Sequence, residues 1–135
     1  MDAIKKSEII KLLKRHNMQV TSSRLAICEY VLAPFKHTTA HEVRWYLNKT
    51  FPNVSLATIY NTLKSLVNIG VLREINVPSL KTVIYDSTLL KHYHVYDENK
   101  NQVFDIDVDR VKIDLTGLDW VEFSDIDLVL KGIVK

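Results

Sequence analysis

The sequence contains a single cysteine, Cys28, and no long run of apolar residues. One cysteine cannot form a disulfide within the chain, and its place on an apolar helical face predicts burial rather than reactivity. No apolar run approaches the ~18 residues that cross a membrane, and the first residues enter a charged helical pattern instead of a signal peptide. We therefore expect a cytoplasmic protein that has no membrane partner.

Charge is unevenly distributed along the 135 residues, although the net charge is only +2. Residues 1–75 hold eleven Lys and Arg against five Asp and Glu, a net charge of +6, and residues 76–135 hold seven against eleven, a net charge of −4. A basic half suits a polyanion and an acidic half suits cations or self-association, with solvated surface charge as the ordinary alternative. Because a domain of about sixty residues is marginally stable alone, we expect dimerisation to contribute stability.

The first part of the chain carries the signals of consecutive helices. Apolar residues recur at helical spacing in residues 3–16. Thr21 or Ser22 can cap a second helix, because a hydroxyl at this position accepts from a free backbone N–H of the first turn. Thr39 and Glu42 form a capping box at the start of a third helix. These signals predict three helices before residue 50.

A fourth helix begins after Ser55, and its polar face is the first candidate for nucleic-acid binding. One stripe of the helix is apolar and consists of Leu56, Ile59, Leu63, Leu66 and Val67. The other face has short polar side chains that suit base contacts in the major groove, namely Thr58, Asn61, Thr62 and Ser65. Gly70 is the expected C-terminal cap, and strands follow in residues 71–75 and 82–85, on either side of Pro78. This order predicts a winged helix-turn-helix, with a Ser/Thr-rich interaction domain as the alternative.

The remaining residues predict a small sheet. Strand signals occupy residues 94–97, 102–106, 120–123 and 126–134. Residues 107–118 have an ambiguous pattern that is compatible with one helix. We therefore predict an α+β fold, with an N-terminal winged helix-turn-helix domain in residues 1–80 and a small C-terminal α/β dimerisation domain in residues 81–135.

Histidines and carboxylates suggest a metal site. His92 and His94 are two residues apart, so in a strand both imidazoles point to the same side. Asp86 ends the second wing strand, Asp105 lies on the partner strand of the hairpin, and His37 falls in the loop between the second and third helices. Three imidazoles and two carboxylates suit Fe²⁺, Mn²⁺ or Zn²⁺, and the lack of a thiolate argues against structural zinc. Two surface histidines on a strand are the alternative explanation of the His-x-His pair.

Several motifs together resemble those of one family. They are Thr21-x-x-Arg24, His37-x-x-Ala40-x-Glu42-Val43, the run from Pro52 to Leu63, Gly70-Val71-Leu72, Tyr85-Asp86, His92-x-His94 and Asp105. From about residue 10 onward the chain resembles the ferric uptake regulator (Fur) family, and within it the peroxide-stress (PerR) branch. Asp105 stands where iron-sensing members usually have Glu, and Asn61 stands where they usually have Arg. Both residues favour peroxide sensing.

The resemblance implies a homodimeric transcription repressor rather than an enzyme. A regulatory Fe²⁺ or Mn²⁺, with Zn²⁺ able to bind in vitro, would be held by His37, Asp86, His92, His94 and Asp105. Metal would close the dimer on an inverted-repeat operator in double-stranded DNA. Tyr60 and Asn61 would approach the bases, and the backbone would be held by Arg24, Ser55 and Thr58. Hydrogen peroxide, the only expected small-molecule substrate, would oxidise His37 or His92, release the metal and lift repression.

The chain also departs from the family pattern. Most relatives bind structural zinc with two Cys-x-x-Cys pairs, but Tyr96 and Asn99 occupy the first pair and the sequence ends at Lys135, before the second. We therefore expect no structural zinc. Ser23 stands where Gln usually precedes Arg24. The alternatives are a metal-responsive Fur-type regulator without peroxide sensing, a constitutive DNA-binding protein, and a small iron or manganese enzyme; no paired acid and base or nucleotide-binding loop supports the last.

Overall fold

A computed structural model describes residues 4–34, 36–77, 79–87 and 91–135 of the chain. The chain forms two compact units, Met1–Leu89 and Leu90–Lys135. The mixture of helices and small sheets confirms the predicted α+β class. Within the described residues, we find no helix with the length and apolar character needed to span a membrane.

The first unit contains the predicted helices. They are α1 (Lys6–Arg15), α2 (Ser22–Val31), α3 (Ala40–Leu47) and α4 (Leu56–Asn68). Hydroxyl caps begin three of them: the Thr21 Oγ1 accepts from the Arg24 N–H at 3.1 Å, the Thr39 Oγ1 from the Glu42 N–H at 3.2 Å, and the Ser55 Oγ from the Thr58 N–H at 3.1 Å. The predicted helix starts are thus confirmed, because each cap satisfies a backbone donor that the first turn leaves free.

One core holds these helices together. Its fully buried side chains include Ile9, Leu13, Ile27, Val31, Val43, Ile59, Leu63 and Leu66. The placement of Thr62 on the free face of α4 was wrong, because Thr62 is fully buried. Residues 59, 62, 63 and 66 follow the i, i+3, i+4, i+7 spacing of one helical face, so Thr62 turns inward with the apolar stripe.

A three-stranded antiparallel sheet completes the first unit. Its strands are β1 (His37–Thr38), β2 (Arg73–Ile75) and β3 (Ile84–Asp86), in the order β1-β3-β2. Gly70 precedes β2 with φ +84°, as expected of a C-terminal helix cap. Strands β2 and β3 confirm the predicted wing, whereas β1 was predicted as loop. Pro78, predicted to separate the wing strands, lies outside the described residues.

The second unit is built on another three-stranded sheet. Its strands are β4 (His92–Asp97), β5 (Gln102–Asp107) and β6 (Val129–Gly132), in the order β5-β4-β6. Strands β4 and β5 form the predicted antiparallel hairpin, and β6 pairs parallel to β4. The sheet therefore joins a local hairpin to a strand that returns from the end of the chain.

Between β5 and β6, the helix that the ambiguous pattern of residues 107–118 allowed does not form, and the strand predicted at residues 120–123 was wrong. Residues 107–118 form a single 3₁₀ turn, Val108–Arg110, instead of a helix. At Thr116 the backbone N–H donates to the Asp114 carboxylate at 2.9 Å, and such an Asx turn competes with helix formation. Residues 120–123 form no strand, and Trp120 and Phe123 are exposed, so their apolar alternation reflects no pairing in the sheet.

Candidate metal ligands and nucleic-acid interface

In the first unit, strand pairing brings one imidazole beside one carboxylate. His37 of β1 is the register partner of Asp86 of β3. The His37 Nε2 lies 3.4 Å from the Asp86 Oδ2, and Asp86 is fully buried. Pairing across the sheet thus places two ligand-type side chains together although they are far apart in sequence, each offering an atom that suits a divalent cation.

Ser87 holds the loop before β1 against the end of β3. Its Oγ donates to the Ala33 carbonyl at 2.6 Å and accepts from the Lys36 N–H at 3.1 Å. The Ser87 N–H donates to the Lys36 carbonyl at 3.1 Å. These bonds secure the residue before His37 to the residue after Asp86, so they fix the position of both side chains. The sequence analysis did not identify Ser87, because its partners lie more than fifty residues away.

In the second unit, two imidazoles and a carboxylate converge on one side of the hairpin. The His92 and His94 rings are 4.5 Å apart at 70°. The Asp105 Oδ1 lies 3.3 Å from the His92 Nε2 and 3.7 Å from the His94 Nε2. Both histidines are buried, and these three residues offer ligand atoms within 4.8 Å of one another. The arrangement follows from strand alternation and from the register that pairs His94 with Asp105.

Lys91 secures the strand that carries both histidines. Its ammonium donates to the Asp125 carboxylate at 2.9 Å, to the Asp127 carboxylate at 3.4 Å and to the Ile126 carbonyl. The His94 N–H donates to the Leu128 carbonyl at 3.1 Å. These hydrogen bonds therefore hold the segment before β6 against the start of β4. The sequence analysis also missed this lysine, which carries no motif of its own.

The donor chemistry of both units fits a borderline divalent cation. The first unit contributes one imidazole and one carboxylate, and the second contributes two imidazoles and one carboxylate. Nitrogen and oxygen donors of this kind suit Fe²⁺, Mn²⁺ and Zn²⁺. Cys28 is fully buried in the first unit, and its burial raises the thiol pKa to about 12, so it offers no thiolate near neutral pH.

The predicted DNA-contacting residues all lie in the first unit. Ser55, Thr58 and Asn61 are exposed at the start of α4, and Tyr60 is half-buried. The Arg24 guanidinium is half-buried and donates from Nη1 to the Gln19 carbonyl at 2.8 Å, which leaves other N–H groups for an anion. Helix α4 therefore presents short donors and acceptors around its N-terminal turn.

An open cleft lies between the N-terminal turn of α2 and the segment of residues 50–54 that precedes α4. Its volume is about 420 Å³, and it is lined by Ser22, Ser23, Thr50, Phe51, Pro52, Asn53 and Val54. Hydroxyl groups and the N-terminal amides of helices are suitable donors to phosphate oxygens. We call this the helix-start cleft; it offers a place for a nucleic-acid backbone.

Comparison with known proteins gives the family. The model of the ferric uptake regulator family matches residues 15–117. The peroxide-responsive repressor PerR of Staphylococcus epidermidis is 33% identical over 98 residues, which cover 73% of this chain and 65% of that protein, less than two thirds of its length. PerR of Streptococcus pyogenes, solved to explain peroxide sensing and gene regulation, is 28% identical with a TM-score of 0.56 and covers 99% of this chain and 92% of that chain.

A second solved structure supports the fold. The Vibrio cholerae ferric uptake regulator has a TM-score of 0.68 at 23% identity, and the match covers 92% of this chain and 98% of that chain. The family match spans most of the chain and includes His37, Asp86, both histidines of β4 and Asp105. The chain belongs to the ferric uptake regulator family.

Proposed function

We propose that the protein is a cytoplasmic, homodimeric, metal-dependent transcription repressor that senses hydrogen peroxide, and is not an enzyme. The observation that carries this proposal is the division of ligand types between the units: His37 with Asp86 in one, and His92, His94 and Asp105 in the other. Membership of the family and the likeness to peroxide-responsive repressors support it.

A single Fe²⁺ or Mn²⁺ would take all five side chains. Two ligands are too few to hold such an ion firmly, and three leave coordination positions open. Each unit would therefore need the ligands of the other to complete the site. Binding would then couple the orientation of the DNA-reading unit to metal occupancy, because one ion held by ligands of both units would restrict their relative movement.

The imidazoles would act as the sensor. When bound, Fe²⁺ would supply the redox chemistry that cleaves the peroxide O–O bond, so that one oxygen atom passes to an imidazole and the other leaves as water; we expect no such reaction with Mn²⁺. His37 and His92 are the side chains proposed to gain oxygen; His37 is the more accessible, with 19% of its side chain exposed against 6% for His92. An oxidised imidazole is a poorer donor, so the site would lose affinity for its metal and the repressor would leave the operator.

Helix α4 would enter the major groove of an inverted-repeat operator. Asn61 and Tyr60 would approach the bases, since an amide side chain matches the donor and acceptor of adenine. Backbone contacts would come from Arg24, Ser55 and Thr58, whose guanidinium and hydroxyl groups are suitable donors to phosphate oxygens. A twofold repeat in the DNA would match the twofold symmetry of a dimer.

The sheet of the second unit supplies the proposed dimer surface. Val95 of β4 is the register partner of Phe104 on β5 and of Leu130 on β6, so these three side chains form one row across the sheet. Phe104 and Leu130 are 39% and 43% exposed. An apolar row at this exposure is stabilised by burial against a second copy.

The test begins with duplexes selected from a random pool on Mn²⁺-loaded protein. Binding of the selected duplex is measured with Mn²⁺, with Fe²⁺, and with each metal plus H₂O₂, and the protein is then analysed by mass spectrometry. We expect peroxide to abolish binding only for the Fe²⁺ form, with one oxygen atom gained by the His37 or His92 peptide.

Other outcomes contradict defined parts of the proposal. Metal-dependent binding that peroxide leaves unchanged would support a metal-responsive regulator without peroxide sensing. Equal binding with and without metal would indicate a constitutive DNA-binding protein. If His37→Ala and His92→Ala both retain full metal affinity, the shared five-ligand site is wrong.

A further inference from the structure

Helix α3 ends in an exposed aromatic surface that the proposed function does not use. Trp45 is 78% exposed and Tyr46 is 51% exposed. The Tyr46 ring stacks on Tyr30 with centroids 4.4 Å apart, and the Lys36 Nζ lies 4.1 Å from the Tyr30 centroid. Tyr46 is thus held by a neighbour, whereas the indole of Trp45 projects into solvent at the edge of a cleft.

This cleft lies beside the helix-start cleft, with which it shares two lining residues. It has a volume of about 310 Å³ and is lined by Ala26, Trp45, Tyr46, Leu47, Lys49, Thr50 and Phe51. We call it the Trp45 cleft. Thr50 and Phe51 line both clefts, so a chain lying in the helix-start cleft could continue past Lys49 to Trp45.

The charge of this surface favours an anion. Of the described residues that line the two clefts, none is acidic and Lys49 is basic. Residues 1–75 carry a net charge of +6, so the long-range field of the unit also attracts a polyanion. Two copies of the unit would instead bring like charges together, which disfavours self-association through this face.

We propose that the Trp45 cleft binds the sugar-phosphate backbone of duplex DNA beyond the bases approached by α4; this rests on the proposed DNA-binding function. The Lys49 ammonium pairs with a phosphate. The Trp45 ring lies against a deoxyribose, and its indole N–H donates to a phosphate oxygen. These contacts carry no sequence information, so they lengthen the footprint and raise affinity for every duplex.

The test measures binding of a selected duplex, and of the same duplex trimmed to its inverted repeat, over a range of salt concentrations. Removing one phosphate contact lowers the steepness of log K against log salt by ~0.9. A homodimer presents two copies of Lys49, so we expect Lys49→Met to lower the slope on the long duplex by twice that value, ~1.8. Lys112→Met, a change at an exposed lysine of the other unit, is the matched control and leaves the slope unchanged.

Trp45 gives an independent readout. We expect Trp45→Ala to weaken binding of the long duplex by roughly fivefold, with a smaller effect on the trimmed duplex. In a Trp120→Phe background, Trp45 emission is expected to change on addition of the long duplex. An unchanged salt slope for Lys49→Met, together with unchanged Trp45 emission, would overturn the inference.

The outcomes separate this inference from the proposed function. If the unaltered protein binds no duplex under any metal condition, the proposed function fails. If it binds, and Asn61→Ala removes its sequence preference while Lys49→Met and Trp45→Ala bind normally, only the Trp45 cleft is wrong. Reduced self-association of Trp45→Ala, without a change in DNA affinity, would assign the surface to a second copy and overturn the inference.

Discussion

Ser87 shows how a single hydroxyl can decide the position of two candidate metal ligands that are distant in sequence. It contacts the backbone of Ala33 and Lys36 on one side and directly follows Asp86 on the other. A buried or half-buried hydroxyl that satisfies both a donor and an acceptor is costly to remove, because both partners then lack a hydrogen bond. At the scale of one residue, Ser87 is therefore a positioning residue for the His37 and Asp86 pair.

Replacing Ser87 tests this role. We expect Ser87→Ala to weaken Mn²⁺ binding by roughly tenfold, a magnitude typical of groups that orient metal ligands, and Ser87→Thr to restore it by keeping the hydroxyl. Isothermal titration calorimetry measures the affinity. Ser79→Ala, at an exposed serine before the same strand, is the control. Normal Mn²⁺ affinity in Ser87→Ala alongside lost affinity in His37→Ala would refute the positioning role.

The turn of the β4–β5 hairpin illustrates stability at the scale of an element. The Asp97 Oδ1 accepts from the N–H groups of Asn99 and Lys100 at 2.9 and 3.1 Å, and the Tyr96 hydroxyl donates to the Asn101 side chain at 2.7 Å. Tyr96 and Asn99 are the positions where relatives were expected to carry cysteines. Hydrogen bonds made by these polar side chains therefore stabilise the turn.

Asp97 makes the stability of the turn depend on pH. Although burial acts to raise its pKa, the backbone N–H groups of Lys100, Asn99 and Val134 outweigh burial and hold the pKa of Asp97 below its ordinary value of 3.8. The carboxylate therefore contributes stability that is present above the unfolded-state pKa and is lost as the pH falls through the lower folded-state value.

We expect Asp97→Asn to reduce the acid sensitivity of unfolding. The free energy of unfolding, measured with urea from neutral pH to below pH ~3.8, should fall less steeply for the variant than for the unaltered protein. Part of the dependence remains, because the Thr116 hydroxyl and N–H also hold the pKa of Asp114 below its usual value. Asp119→Asn, at an exposed aspartate, is the control; an identical slope in Asp97→Asn contradicts the prediction.

Local sequence signals predicted the helices and strands well where the residues that interact are near each other in sequence. Thr21, Thr39 and Ser55 each cap a helix because the accepting hydroxyl and the donating N–H are three residues apart. His92 and His94 lie on one side because strand alternation is equally local. β1 was missed because a two-residue strand has no period of its own; it exists through pairing with β3.

At the scale of the whole molecule, the apolar row of Val95, Phe104 and Leu130 predicts assembly. An aspartate within a buried apolar surface lacks partners for its charge, so it opposes association strongly. Metal-dependent binding to an inverted repeat requires two copies, so the dimer surface and the DNA surface are linked in the proposed function.

We expect Leu130→Asp to raise the dimer dissociation constant at least roughly tenfold and to weaken operator binding. Sedimentation velocity over a range of protein concentrations measures the first effect. Lys131→Asp introduces the same side chain one position along β6, where alternation directs it to the opposite face, and should leave assembly intact. Phe104→Lys is a second variant that should disrupt the same surface. If neither Leu130→Asp nor Phe104→Lys changes dimerisation, the dimer uses another surface.

The sequence by itself determined the helix starts, the wing, the β4–β5 hairpin and the identities of the candidate ligands. Their convergence on one ion remains a prediction. Tertiary structure alone decided the pairing of His37 with Asp86, the hydrogen bonds of Ser87, the contacts of Lys91 and the inward position of Thr62. The physical reason is the distance along the sequence over which each interaction acts. Helix caps and strand alternation act within a few residues, whereas these contacts need partners that only the folded chain brings near.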